Sequence, residues 1–291
     1  MPEATPEPGN EGQWTEVIRP RGHVFDLKLK EVWRYRDLLL LFVRRDFTAA
    51  YKQTILGPVW HFIQPAFTTF MFLIVFNKIA KIPTDSLPPV LFYMSSITIW
   101  NYFSACLGSS SATFAANAGI FGKVYFPRLV SPLSSIISNL VRFGIQCTLL
   151  IAMMIYYAAI GVYTVHPGWQ LLLVPVLVVV IAAVGLGMGI IISSLTTKYR
   201  DLNILISFGV GLLMYITPVV YPMSYLEQSK YTNLIRWNPL SPLVEGFRYA
   251  VLGQGSFDPF FFGYSVIFSI VVLFIGIILF NRIERNFMDT V

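Results

Sequence analysis

Charge is what this sequence has least of. Of its 291 residues only 12% are charged, against roughly a quarter in soluble globular domains, while 55% are hydrophobic and the mean hydropathy is +0.64. That balance excludes an ordinary soluble domain and implies a chain that uses lipid as its solvent. Cysteine is nearly missing: Cys106 and Cys147 each lie in an apolar run and read as buried small hydrophobes rather than a disulfide or metal pair. Histidine is scarce, and His23, His61 and His166 are too scattered for a metal cluster. Neither H-E-x-x-H nor G-x-S-x-G occurs. Gly122-Lys123 has Val124 where a phosphate loop needs Ser or Thr, and Asn117 where it needs its first Gly, so it is no nucleotide site. The spans show no mid-membrane carboxylate of the kind proton- or sodium-driven transport uses, and the acidic residues of the loops form no catalytic pair. No catalytic, cofactor-binding or metal-binding residue is therefore expected. No internal repeat is evident, which gives no support to an inverted-repeat transporter.

The net charge of +6 is read first as topology, because Lys and Arg collect on the cytoplasmic side of spans; a nucleic-acid partner is not expected. Met1 to Gln13 is acidic and proline-bearing, with no basic region leading into an apolar one, so no cleaved signal is visible and residues 1–30 are expected to form a disordered cytoplasmic tail. From Glu31 to Lys52, Val32, Tyr35, Leu39, Phe42 and Phe47 recur every three or four residues among charges. This pattern predicts an amphipathic interfacial helix with Arg34, Arg36, Arg44 and Arg45 at headgroup level.

The rest predicts an all-α membrane protein of six spans over 57–281, with both ends cytoplasmic and 282–291 as the closing tail. The first span opens at Gly57 to Trp60 and carries Pro65, which suggests a kink turned towards protein. The second starts near Pro88 and ends in the small-residue patch Cys106 to Ala112, expected as a helix contact. The third, Leu129 to Gly161, is too long for one upright crossing. If its lipid-embedded part begins at Phe143, Arg142 is an interface anchor; if it begins earlier, Arg142 is a buried charge and a functional candidate. The fourth, Leu171 to Leu195, shows Gly185, Gly187 and Gly189 as a packing face, and the fifth runs from Leu202 to about Tyr221. Tyr221 to Gly253 mixes charge with apolar residues in two short helices that cannot cross. One is expected over Pro222 to Ile235; the other has Ser241 as N-cap, Pro242 at its first position and Gly253 at its end. Glu245 and Arg248 are spaced to pair. This is a re-entrant helix pair between spans five and six, with an idle interfacial hairpin as the alternative. The sixth span is Phe262 to Phe280.

Between spans two and three, Ala116 to Pro132 is too polar and glycine-broken to continue either. A short helix here would carry exposed aromatics, which either meet a protein partner or rest among headgroups.

The segments Leu56-Gly-Pro-Val-Trp60, Gly122-Lys-Val-Tyr-Phe-Pro-Arg-Leu-Val-Ser-Pro132, Tyr199-Arg-Asp201 and Asn238-Pro-Leu-Ser-Pro-Leu-Val-Glu-Gly-Phe-Arg248, in that order after an interfacial helix, resemble the permease subunit of type 2 ABC exporters for polysaccharides, the O-antigen, capsule and teichoic-acid group. The resemblance covers roughly Lys30 to Asn286. It implies a homodimer of six-span subunits in the bacterial inner membrane, bound to two copies of a separate ATPase that holds the ATP and Mg. It places Asn117, Ile120, Phe121, Lys123, Tyr125 and Phe126, within a 116–127 coupling helix, against that ATPase. It makes 221–253, with Glu245 and Arg248, the outer gate helices.

The expected cargo is a lipid-linked polysaccharide. Aromatic faces on which sugars can slide suggest Trp60, Phe67, Phe70, Tyr215 and Tyr221 for the path, although Trp and Tyr also gather at membrane interfaces generally. Arg44, Arg45 and Lys52 could attract a lipid diphosphate at the inner entrance, or simply anionic headgroups. A small lipid or drug as cargo, and a motor-less membrane enzyme or assembly factor, are the alternatives; an ATPase that co-purifies separates the last from an exporter.

Overall fold

The computed structural model describes residues 29–52, 54, 56–121, 126–165, 168–196, 202–226 and 230–287. The N-terminal tail, the Thr197 to Asp201 turn and the hairpin tip at 122–125 lie outside them. Among the described residues the protein is all helix, with no β-strand.

The N-terminal amphipathic segment forms two helices, α1 (Leu29–Arg34) and α2 (Arg36–Tyr51), broken at Tyr35. The segment expected to lie at the interface docks on the bundle: Val32 and Phe42 are buried in a cluster with Phe114, Phe121, Phe126 and Phe280, while Leu40 and Leu41 stay exposed. The first span begins with a 3-10 turn, continues as α3 (Trp60–Phe72) and ends in a π-helical stretch, Leu73–Ile79. Pro65 and Thr69 are its buried face, so the proline does point at protein, where neighbours can satisfy the backbone it disturbs.

Helix α4 (Pro89–Ser111) is the centre of the bundle: 78% of its apolar window is buried, against 11% for the first span. It is followed by α5 (Thr113–Phe121), the long α6 (Val130–Ala159), α7 (Leu173–Thr196) and α8 (Leu202–Ile216). The small-residue contact expected of α4 is made with α7, and it works by backbone approach. A Cβ on Gly185 would lie 2.9 Å from Cys106 Cβ, and one on Gly189 would lie 2.5 Å from Ser110 Cβ. Gly187, on another side of α7, meets α11 (Pro259–Phe287), where a Cβ on Gly276 would come within 2.8 Å of the Gly187 carbonyl oxygen. Lipid tails are as apolar as leucine, so close van der Waals contact through small residues does here what the hydrophobic effect does in water.

Among the described residues five helices are long and apolar enough to cross a bilayer. Helix α8, expected as the fifth of six spans and running on to about Tyr221, stops at Ile216, because the chain leaves the helix at Thr217 just before Pro218. The segment that follows also differs from expectation. In place of one helix over Pro222 to Ile235 there is a 3-10 turn, Met223–Leu226, and the single turn α9 (Thr232–Arg236). Helix α10 (Ser241–Leu252) is present and ends on Gly253 in the left-handed conformation at φ 70°. Its N-cap position is Leu240 rather than Ser241, with no side-chain cap; ahead of it Asn238 Oδ1 accepts the Leu240 N–H at 3.1 Å in a local turn.

Candidate functional site

At the α5 end of the bundle the hairpin is built inward. Asn117 is buried; its Nδ2 donates to the Thr113 carbonyl at 3.0 Å and to Ser131 Oγ at 2.8 Å, which clips the two arms together below the tip. Phe121 and Phe126 pack at 5.6 Å, Phe126 meets Phe42 edge-on, and the Arg128 guanidinium lies over the Phe121 ring at 5.3 Å. The expectation of exposed aromatics is therefore corrected for Phe121 and Phe126, which are 3% and 5% exposed. The cause is α2, whose buried face supplies the apolar cover that the hairpin sequence does not reveal by itself. Ile120 remains exposed, and Lys123 and Tyr125 lie outside the described residues.

At the opposite end of α4, Arg248 is the largest fully buried side chain. Its Nη1 donates to Glu245 Oε1 at 2.9 Å, and its Nη2 donates to Ser96 Oγ at 2.6 Å and to the Pro218 carbonyl at 2.8 Å. Its guanidinium also lies 3.8 Å from the centre of the Phe92 ring. Glu245 Oε1 accepts the Met223 N–H at 3.0 Å. The expected pair is thus formed, and it is the hub of a network that joins α10 to α4 and to the segment after α8. Ser96, Phe92 and Pro218 could not be found from spacing alone, since each is remote in sequence. Beside this network, Asp85, Ser224, Arg236, Glu245 and Asp258 help line a recess of about 340 Å³.

Of the aromatics proposed for a path, Trp60, Phe67 and Phe70 are exposed on α3. Tyr215 is exposed too, and Tyr221 Oη donates to its carbonyl at 2.9 Å, so the structure brings these two together. Arg44 and Lys52 are exposed. Arg45 is engaged locally, 2.8 Å from Asp46 and 4.5 Å from the Phe42 ring centre. Among the described residues no three His, Cys, Asp or Glu side chains are grouped so as to hold a metal ion.

A bundle of apolar helices, five of them among the described residues long and apolar enough to cross a bilayer, with a buried ion pair at one end and a pinned hairpin at the other, is a multi-pass membrane protein. The chain belongs to the ABC-2 type transporter family, whose pattern matches residues 37–252. It is 25% identical over 254 residues to the O-antigen export system permease protein RfbA of Klebsiella pneumoniae, covering 87% of this chain and 94% of that one. The RfbA protein of Myxococcus xanthus is 26% identical over 76% of this chain and 82% of its own length. The polysialic acid transport protein KpsM of Escherichia coli is 24% identical over 84% of this chain and 93% of its own.

Proposed function

We propose that the chain is the transmembrane subunit of an ATP-driven exporter that carries a lipid-linked polysaccharide, of the O-antigen kind, across the bacterial inner membrane. The observation that carries this reading is the near end-to-end similarity to O-antigen export permeases, with 87% of this chain aligned. The exporter is a homodimer of this subunit with two copies of an ABC ATPase. ATP and Mg are handled by the ATPase, so the chain itself is not an enzyme. Both termini and the α5 hairpin are cytoplasmic, and α10 with Glu245 and Arg248 forms the outer gate.

The hairpin contact to the ATPase rests on its exposed part. Ile120 is available on the surface, whereas Asn117, Phe121 and Phe126 hold the hairpin in shape and act on a partner only through it. The exposed faces of α3 and α8, with Trp60, Phe67, Phe70 and Tyr215, are free in one subunit to meet a second copy or to border the glycan's route. Arg44 and Lys52 flank the inner entrance.

Depletion of the protein tests the cargo: a lipid-linked glycan should accumulate on the cytosolic side, and its identity names the sugar. Co-purification tests the motor. A stoichiometric ATPase is expected in mild detergent, and Ile120→Glu should release it while the melting temperature stays unchanged. Normal glycan display at the cell surface after depletion would refute the cargo; absence of any ATPase would refute the motor.

A further inference from the structure

Arg142 is a charge that neither the outer network nor the hairpin employs. It lies in the interior of α6, within the apolar span Val130–Ala159. Together with His61 and Gln64 of α3, Asn101 of α4, and Asn139 and Gln146 of its own helix, it lines a recess of about 260 Å³. The polar residues of α6 here, at 139, 142 and 146, share one helix face by their spacing of three and four. No acidic residue is among the described residues that line the recess.

The hydrogen bonds around it consume the neutral groups and leave the guanidinium underused. Asn101 Nδ2 donates to Gln146 Oε1 at 3.4 Å, and Asn139 Nδ2 donates to Ser109 Oγ at 3.0 Å. Arg142 Nη1 reaches Asn139 Oδ1 at 3.4 Å, a long contact. Two further polar atoms lie at this place: His61 Nε2 is buried with no hydrogen-bond partner among the described residues, and the buried Tyr51 hydroxyl has Arg142 as its polar neighbour. Both are within electrostatic reach of Arg142, and their rings pack edge-to-face at 5.6 Å.

A guanidinium inside an apolar span without a carboxylate among its described neighbours is costly, and such residues persist where they do something. The chemistry of this cluster selects an anion. Its fixed charge is positive, its amides and hydroxyl can donate, and a guanidinium fork fits two oxygens of one phosphate. A metal cation is repelled by Arg142, and a neutral sugar would not require it. The surroundings select a lipid as the bearer: Gln64 is exposed at the margin, and Trp60 and Phe67, four and three residues from it on the same face of α3, present exposed apolar side chains suited to acyl or prenyl tails.

We propose that the recess between α3, α4 and α6 is a binding site for the phosphate or diphosphate of a lipid headgroup, with Arg142 as its fixed charge. Asn101, Gln146 and His61 act as hydrogen-bonding neighbours that orient the group. The inference depends on the lipid-linked cargo only for the source of the phosphate.

The test uses the full-length protein in nanodiscs of zwitterionic phosphatidylcholine, titrated separately with a polyprenyl diphosphate, phosphatidylglycerol and inorganic pyrophosphate, with binding read by native mass spectrometry. The expected result is saturable binding of the polyprenyl diphosphate, weakened at least tenfold by Arg142→Gln and less by Arg142→Lys. Gln146→Glu is the decisive companion, because it places a carboxylate one helical turn from Arg142 on the same face. It should abolish anion binding without lowering the melting temperature. An Arg142-dependent site that takes phosphatidylglycerol in preference keeps the lipid-phosphate assignment and removes the cargo from it, whatever the depletion phenotype shows. Binding of all three probes that is indifferent to Arg142→Gln and Gln146→Glu, binding of none, or binding of pyrophosphate alone, overturns the proposal.

Discussion

Glu245 and Arg248, one helical turn apart on α10, meet at 2.9 Å with side chains 5% and 1% exposed. Each side chain bonds the other and a group from elsewhere in the chain, with only Arg248 Nε left without a partner among the described residues, so the pair fastens α10 to α4 through Ser96 and to the segment after α8 through Pro218. Removing one member leaves the other buried and uncompensated, which is far costlier than replacing both. Arg248→Met or Glu245→Gln alone should therefore lower stability by about 3–5 kcal/mol. The double change Glu245→Leu with Arg248→Met should recover most of that loss. Chemical unfolding of the purified protein in detergent checks both; single variants as stable as the parent would show that the pair does not hold α10.

The glycine notches of α7 make a second expectation. Gly189→Ala would press a methyl to 2.5 Å from Ser110 Cβ and 2.8 Å from the Leu107 carbonyl oxygen, against backbone that cannot step aside. Overpacking of this kind costs about 1–3 kcal/mol. Gly144→Ala, with nothing within 4 Å of the new carbon, is the control and should be neutral or slightly stabilising. Melting temperatures of the two variants compared with the parent decide the matter.

The hairpin gives a contrast between neighbours. Phe121 is buried against Phe114, Phe126 and Arg128, so Phe121→Ala should destabilise by about 3–5 kcal/mol. Ile120→Ala, on the exposed side of the same helix, should shift stability by no more than about 0.5 kcal/mol. Equal effects from the two substitutions would mean that the hairpin is not anchored by its aromatics.

Cysteine labelling reads the orientation. Cys106 is fully buried, so a membrane-impermeant maleimide should not label it in intact cells or in inverted vesicles. With Ile120→Cys, labelling should appear in inverted vesicles and not in intact cells. The reverse pattern would place the hairpin on the outer side and remove the proposed contact with an ATPase.

Much of this architecture is written in local pattern. The glycines at 185, 187 and 189 announce a packing face, and Glu245 and Arg248 announce a pair, because helical spacing alone brings such residues together. What escapes local pattern is anything decided by a distant neighbour. Phe121 and Phe126 read as exposed because the cover, Phe42, comes from α2; Arg142 reads first as an interface anchor because His61 and Asn101 belong to other helices. The shortness of α8 escapes too: an apolar run continues to Tyr221, and only the break before Pro218 divides it.

The two notched faces of α7 give the bundle an uneven stiffness. Helices α4, α7 and α11 touch backbone to backbone, where a sliding movement would have to lift whole turns over one another. The first span shares little of that contact and ends in wide π-turns. Any movement within the subunit is thus expected to spare these three helices and to concentrate at the first span, only 11% of whose apolar stretch is buried.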